Sequence, residues 1–280
     1  MTGQLRELDP LYRSYSFKFR LNQHLTQVLL KLSREENDLA ALADITDIPC
    51  LQVLGKWRYQ SALALKISGK YGKQSEEIAQ QLLRNFPDST DFLIKRVQMG
   101  RLEWEVRASA IASWLTQCLH LPPSPEKLQI SKLYRLKSLD KSHIIPIQYT
   151  YNRCVSLLHL GASEQLIQLS PPLPDQVRTW LAPQPPPWTV NSAPLPFQHP
   201  AEINLIATQI QIMDAITYPP SGGSSNLGLA LSEAFLEFHR SCRIWGEVQQ
   251  HTPQLSQGRL GLIQVTQNLL QLMLGSAEKA

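Results

Sequence analysis

Through most of this chain apolar side chains recur in steps of three and four. Between Leu227 and Val248 they fall at Leu227, Leu231, Ala234, Phe235, Phe238, Cys242, Trp245 and Val248, the spacing of one helical face packed on a core. Gly222-Gly223-Ser224-Ser225-Asn226 supplies a turn and polar N-cap candidates just ahead of it. From Arg259 to Gly275, Gln264, Gln267, Asn268 and Gln271 are interleaved with Leu262, Val265, Leu269, Leu272 and Met273 at the same period. These two segments predict a helical hairpin closing a bundle. Upstream, the pattern predicts helices over Leu21–Leu32, Trp57–Ser68, Ser75–Phe86, Arg107–Leu119 and Pro200–Tyr218. The capping-box run Ser33-Arg34-Glu35-Glu36 predicts a further helix to about Asp44. Phe92–Val106 alternates instead, which predicts two strands turning at Met99-Gly100. Ile45–Gly55 is a connector with room for one more strand.

The elements divide the chain. Residues 1–120 read as a small α+β domain, 121–143 as a linker opened by Pro122-Pro123-Ser124-Pro125, and 144–280 as an all-α bundle, so the fold class is mainly α. Residues 170–200 interrupt the bundle with 10 of the chain's 20 prolines, together with Trp180 and Trp188. Proline lacks a backbone donor and fixes φ, so this stretch is an extended insertion. Two readings fit it: an ordered strap over the bundle, or a polyproline ligand at Pro185-Pro186-Pro187-Trp188 for a protein partner.

Composition narrows the class. A hydrophobic share of 43% and a charged share of 18% belong to a folded protein. No apolar run spans a bilayer, and MTGQLRELDPLYRS lacks the apolar core of a signal peptide. Cys50, Cys118, Cys154 and Cys242 show no paired spacing, which points away from disulfides and zinc and toward a reducing cytoplasm. The net charge of +4 is unevenly placed: residues 1–140 carry +5 and residues 141–280 carry −1. Nucleic-acid affinity comes largely from neutralised phosphates, so the basic linker residues Lys132, Arg135 and Lys137 are candidate phosphate contacts, and the C-terminal half is electrostatically poor. In residues 1–20, Arg6, Arg13, Lys18 and Arg20 alternate with Tyr12, Tyr15, Phe17 and Phe19. This fits either an amphipathic arm or a nucleic-acid-binding one.

Several stretches resemble arginyl-tRNA synthetases. Leu231, Phe235, Phe238, Cys242 and Ile244 match a Leu-Ala-x-x-Phe-x-x-Phe-Tyr-Asn-x-Cys-x-Val helix of that family's C-terminal anticodon-binding (DALR) domain, with His239 and Arg240 in place of Tyr and Asn. Arg259-Leu260-Gly261-Leu262 matches the opening of its last helix. Gln148, Tyr149 and Arg153 agree with its first helix, and Tyr151 replaces a His. Tyr59–Leu65 and Glu77-Ile78-Ala79 resemble the family's additional N-terminal domain. Gly100-Arg101-Leu102-Glu103-Trp104 lies over a strand that in the family contacts the tRNA elbow. The resemblance implies an anticodon-binding-type bundle whose RNA-facing residues are Tyr149, Arg153, His239, Arg240 and Arg243, with Trp104 in the elbow strand. Tyr149 and Arg153, four apart, offer a stacking ring and a cation; the same pair would also make an ordinary buried contact.

The synthetase's catalytic domain has no room here, since some two dozen residues occupy its place and one βαβ unit needs about thirty. No His-x-Gly-His run, no Gly-rich phosphate loop and no His pair at ligand spacing occurs. The expectation is therefore a non-catalytic tRNA-binding protein, arginine tRNA foremost, with no cofactor, metal or membrane. The alternative is a protein–protein adaptor that keeps the fold and has lost RNA binding.

Overall fold

The computed structural model describes residues 10–35, 52–54, 57–122, 141–171, 178–192, 195–218 and 227–274. The chain is mainly helical, with a small antiparallel sheet. It divides into two units: residues 16–110, and residues 1–15 together with 111–280.

In residues 16–110, helix α2 (Phe17–Glu35) follows the short α1 (Pro10–Arg13), and buries Phe17, Leu21, Leu25, Val28, Leu29 and Leu32 along one stripe. Ser33 does not open a new helix. It is the last turn of α2, its Oγ donating to Leu30 O at 2.9 Å, and the rest of that predicted helix lies outside the described residues. The strands are β1 (Gln52–Leu54), β2 (Arg58–Ser61), β3 (Phe92–Gln98) and β4 (Arg101–Val106), in the order β1-β2-β4-β3. Between β2 and β3 lie α3 (Leu63–Tyr71) and α4 (Ser75–Arg84).

The predicted helix over Trp57–Ser68 is thus corrected. Its first half is strand β2, where Tyr59 pairs with Trp104 and Ser61 with Leu102. Tyr59 and Ser61 face inward while Arg58 stays exposed, and buried Ser61 Oγ accepts Leu63 N at 3.2 Å to start α3. The β3–β4 hairpin turns where expected, at Met99 (φ 50°) and Gly100 (φ 71°). Two left-handed residues match the twist of paired strands. A Cβ on Gly100 would also lie 2.6 Å from Ser75 Cβ. One sheet face is aromatic core: Tyr59, Phe92 and Trp104 are buried, with Phe17 and Phe86 packed edge-on or tilted against Phe92 and Trp104. The other face is a lattice of charges, with Arg58–Glu103 and Lys95–Glu105 both at 3.1 Å.

The second unit is the bundle. Its helices are α5 (Ala108–Leu119, from Ile111 on), α6 (Lys141–Ser163), α7 (Pro200–Thr217), α8 (Leu227–Ser241), the short α9 (Glu247–His251) and α10 (Pro253–Leu274). The units part at 15/16 and 110/111 rather than at 120/121, because this end of the chain is bound into the bundle. Tyr12 is fully buried and its OH donates to Pro122 O at 3.0 Å. Trp114 Nε1 donates to Tyr15 O at 2.8 Å, and Asn268 Nδ2 to Cys118 O at 2.9 Å. Tyr12 of α1 and Phe17 of α2 are core residues, each of its own unit, and their rings are not open to a nucleic acid.

Helix α10 is the centre of the bundle and touches α6, α7, α8 and α9. From Gly258 to Leu270 every residue is buried, including Gln264, Gln267 and Asn268. Gln264 Nε2 donates to Asn268 Oδ1 at 2.9 Å, and Gln209 Nε2 of α7 donates to Leu262 O at 3.0 Å and Thr266 Oγ1 at 2.9 Å. Buried amides keep a core polar only where such partners exist. The proline-rich insertion is ordered where described. Strand β6 (Trp180–Ala182) pairs with β5 (Gln168–Leu169), and a 3₁₀ turn covers Pro187–Ser192. Trp188 is buried, its Nε1 donating to Ala112 O at 3.1 Å and Thr116 Oγ1 at 3.0 Å. The insertion is a strap, and Pro186 and Trp188 are its anchors.

Candidate nucleic-acid interface

Helix α6 buries Ile147, Cys154, Leu157 and Leu158. That fixes which residues face away: Gln148, Tyr149, Asn152 and Arg153 are exposed, Tyr149 at 58%. The pair one turn apart is therefore a surface pair, and the buried Tyr–Arg contact is excluded. Helix α8 packs on both α6 and α7 and buries Leu231, Ala234, Phe235 and Phe238. The approach is close, since a Cβ on Gly228 would stand 2.6 Å from Ile147 Cδ1.

This packing brings His239, near the end of α8, against Arg153 of α6, with Arg153 Nη2 and His239 Nε2 3.5 Å apart. A guanidinium can only donate, so the imidazole accepts at Nε2 and carries its proton on Nδ1. The ring is half-buried and lies over the fully buried Phe235, centroids 6.0 Å apart at 15°. Burial, and then the charge of Arg153, hold the His239 pKa below its ordinary 6.5. At neutral pH the imidazole is uncharged.

Arg240 is exposed and ion-paired with Glu237, which also accepts from Ser241 Oγ at 2.9 Å. Ser241 foremost, with Arg240, holds the Glu237 carboxyl below its ordinary value. Exposed pairs of this kind exchange readily, so Arg240 is loosely held. The sequence pattern carries one helix through to Val248, but α8 ends at Ser241, and Cys242, Arg243, Ile244 and Trp245 are not helical. The backbone there is pinned from α10. Arg259 Nη1 donates to Arg243 O, and Ser256 Oγ donates to Ile244 O at 2.6 Å. With its carbonyl held, Arg243 turns its side chain to solvent.

Arg259 is a residue whose role the sequence pattern missed. It is buried, and its Nε donates to Glu202 Oε1 at 2.7 Å. Glu202 in turn accepts Gln198 N and His199 N at 2.9 Å each through Oε2, capping α7. The signal was present: a capping-box Glu three residues after His199-Pro200, and a lone Arg in a helix otherwise without charge. This strut ties the start of α7 to the turn carrying Arg243.

Trp104 does not belong to the interface. It is fully buried between Tyr59 and Phe86 in the sheet core, because strand alternation turns Leu102, Trp104 and Val106 inward and Arg101, Glu103 and Glu105 outward. No base can stack on it. Lys132, Arg135 and Lys137 lie outside the described residues, as does the turn at Gly222–Asn226. Among the described residues no group of three or more His, Cys, Asp or Glu side chains is placed to hold a metal ion, and no helix is long and apolar enough to cross a membrane.

What α6 and α8 present together is an exposed aromatic ring, an Arg, a neutral imidazole and two further Arg side chains nearby. No protein-family model matches the chain, and neither a curated protein nor a solved structure matches it.

Proposed function

We propose that this chain is a non-catalytic RNA-binding protein that takes a folded RNA, tRNA foremost, on the α6–α8 face, in the manner expected of an anticodon-binding domain. The observation that carries this reading is the exposure of Tyr149 and Arg153 on one side of α6, next to His239. Unstacked loop bases are held by aromatic faces, and their phosphates by Arg. The three described cysteines, Cys118, Cys154 and Cys242, are free thiols, in keeping with action in a reducing cytoplasm.

The test is binding of the purified chain to total tRNA across a salt series, with sequencing of what is retained. Affinity should fall steeply as salt rises, with arginine tRNAs enriched. Tyr149→Ala should cost about 1–3 kcal/mol of binding, the range for a base–aromatic stack. Arg153→Ala should cost about 1 kcal/mol or more. Stability should not change, because neither side chain is buried. No retention at low salt overturns the reading.

A second reading, a protein–protein adaptor, is favoured by a different feature of the same helices. Ile145 (62% exposed) extends Tyr149 into a short apolar stripe on α6, Leu160 (43%) is exposed beyond the polar Arg153 and Ser156, and Leu236 is exposed on α8. Glu233 and Glu237, also exposed on α8, oppose a phosphate backbone. A partner protein held through this stripe would be lost on Ile145→Glu, whereas RNA binding would persist.

A further inference from the structure

Arg153 differs from the cations that the fold pairs with carboxylates. Arg20, Arg58, Lys95, Arg240 and Arg259 each sit within 4.0 Å of a carboxylate. Arg153 is exposed, and its hydrogen-bond partner is an imidazole nitrogen at 3.5 Å. That imidazole is half-buried and stacked on the buried ring of Phe235, which favours this orientation. Two nitrogen-bearing groups from different helices are thus held face to face at a distance long for a hydrogen bond.

We propose that Arg153 and His239 form a clamp for the oxygens of one phosphate group, and that an anion seated there draws a proton onto His239. The argument is electrostatic. With the clamp empty, burial foremost and then the guanidinium 3.5 Å away disfavour a charged ring, so His239 stays neutral and accepts from Arg153. With an anion between them, both groups become donors to it, and the protonated imidazole is the better partner. Binding and protonation then reinforce one another, as linkage requires.

The surroundings leave Arg153 as the partner that governs the ring. Charged and titratable groups described on the neighbouring elements include Tyr149, Tyr151, Cys154 and His159 on α6, His199, Glu202 and Asp214 at or on α7, Cys242 and Arg243 just past α8, and Arg259 on α10. Glu202 is bound to Arg259, and Asp214 is buried. On α8 itself Glu237 is turned to Arg240 and Ser241, and Glu233 is exposed. Among the described residues the charge that acts on His239 is that of Arg153.

This inference rests on the RNA reading for one thing only, that the phosphate is a phosphodiester of RNA rather than a free anion. The experiment uses the full chain and two probes. Sulfate is a phosphate-shaped anion whose charge does not vary between pH 5 and 8. Total tRNA is the second probe. His239 ring protons, assigned by their loss in H239Q, are followed by NMR through a pH titration with and without sulfate.

Sulfate should raise the His239 midpoint by about one pH unit, which corresponds to about tenfold tighter anion binding to the protonated form. R153Q should remove that shift. RNA affinity should rise severalfold on going from pH 8 to pH 5.5, toward that tenfold limit, and become flat with pH in H239Q. A His239 midpoint that sulfate leaves unmoved, or moves equally in R153Q, overturns the clamp. The two readings fail separately. A sulfate shift without RNA retention at any pH supports the clamp for a free anion and removes the RNA reading. RNA retention with no pH dependence and no sulfate shift removes the clamp alone. Should R153Q fail to fold, the wild-type sulfate titration still decides, and should H239Q fail, H239N serves for the assignment.

Discussion

Gly261 lies on α10 under the strap, and the sharpest prediction concerns what a single methyl group there would meet. A Cβ at Gly261 would stand 2.4 Å from both Cη2 and Cζ3 of Trp188, more than 1 Å inside the ordinary contact distance of about 3.5–4.0 Å. The indole has no easy retreat, for it is 3% exposed and its Nε1 is held at 3.1 Å and 3.0 Å by Ala112 O and Thr116 Oγ1. Overpacking of a well-filled core costs about 1–3 kcal/mol. A clash against a pinned ring belongs near 3. Replacing Gly by Ala inside a helix returns about 1 kcal/mol, so Gly261→Ala should destabilise by about 2 kcal/mol.

Trp188→Ala alone should cost about 3–5 kcal/mol. In that background the clash is gone and the helix-propensity gain remains. Gly261→Ala should then stabilise by about 1 kcal/mol. The same substitution changes sign with the residue opposite it. Urea unfolding of the four proteins, followed by helical circular dichroism, measures both steps. An equal cost of Gly261→Ala in both backgrounds would refute the reasoning. It would mean the indole is not pressed onto α10, and Pro185–Trp188 would regain its standing as a ligand for a partner.

Two further perturbations follow from buried charge. Arg259→Met leaves Glu202, 1% exposed, without its cation. Stranding a buried charge costs about 3–5 kcal/mol, so denaturant midpoints should fall sharply, and adding Glu202→Gln should restore part of the loss. His24 on α2 lies against Phe86 and Phe92. Burial lowers its pKa from the ordinary 6.5, and Asp91 partly opposes this. A folded-state value below the unfolded one means that the neutral ring supports the fold above about 6.5, and that this support is lost as pH falls through the lowered value. Amide-exchange protection of α2, β3 and β4 should therefore weaken between pH 7 and pH 5 in the wild type. In His24→Gln that pH dependence should be smaller.

Where the sequence pattern was read locally it served well, and its failures have identifiable causes. The β3–β4 hairpin was legible because alternation and a Met-Gly turn are local. Residues 57–68 were not, because the inward face of β2 is Tyr59 and Ser61. A buried serine leaves no hydrophobic mark, while the Ala and Leu that follow belong to the next helix. The single helix predicted through Val248 broke for a similar reason. Cys242 and Ile244 are buried as an apolar periodicity would have them, but the backbone leaves the helix and turns at Gly246, φ 73°. On α10 Gln264, Gln267 and Asn268 read as a polar face, yet the helix is enclosed: Gln264 donates to Gln267 and Asn268 within the helix, and Asn268 donates to Cys118 O and Leu119 O, contributed from far along the chain.

Trp104 and Arg153 separate the two kinds of warrant used to choose site residues. Strand parity alone puts Trp104 on the same side as Leu102 and Val106, hence inward. The family resemblance put it toward RNA, and packing upheld parity, because a strand cannot turn one side chain across the sheet without slipping its whole register. For Arg153 the warrants agree: it is off the buried stripe of α6, and the resemblance names it. Exposure can be read one helix at a time from such stripes. Adjacency between helices cannot, and the site depends on adjacency. His239 stands 86 residues from Arg153 in the chain, and only the seating of α8 on Ile147, with glycine at 228 to admit it, brings the ring to the guanidinium. Filling that contact with Gly228→Ala would make Ile147 Cδ1 turn aside or α8 shift on α6 without touching Arg153 or His239, so a loss of the proposed binding in that variant would trace to the spacing of the two helices rather than to the identity of either residue.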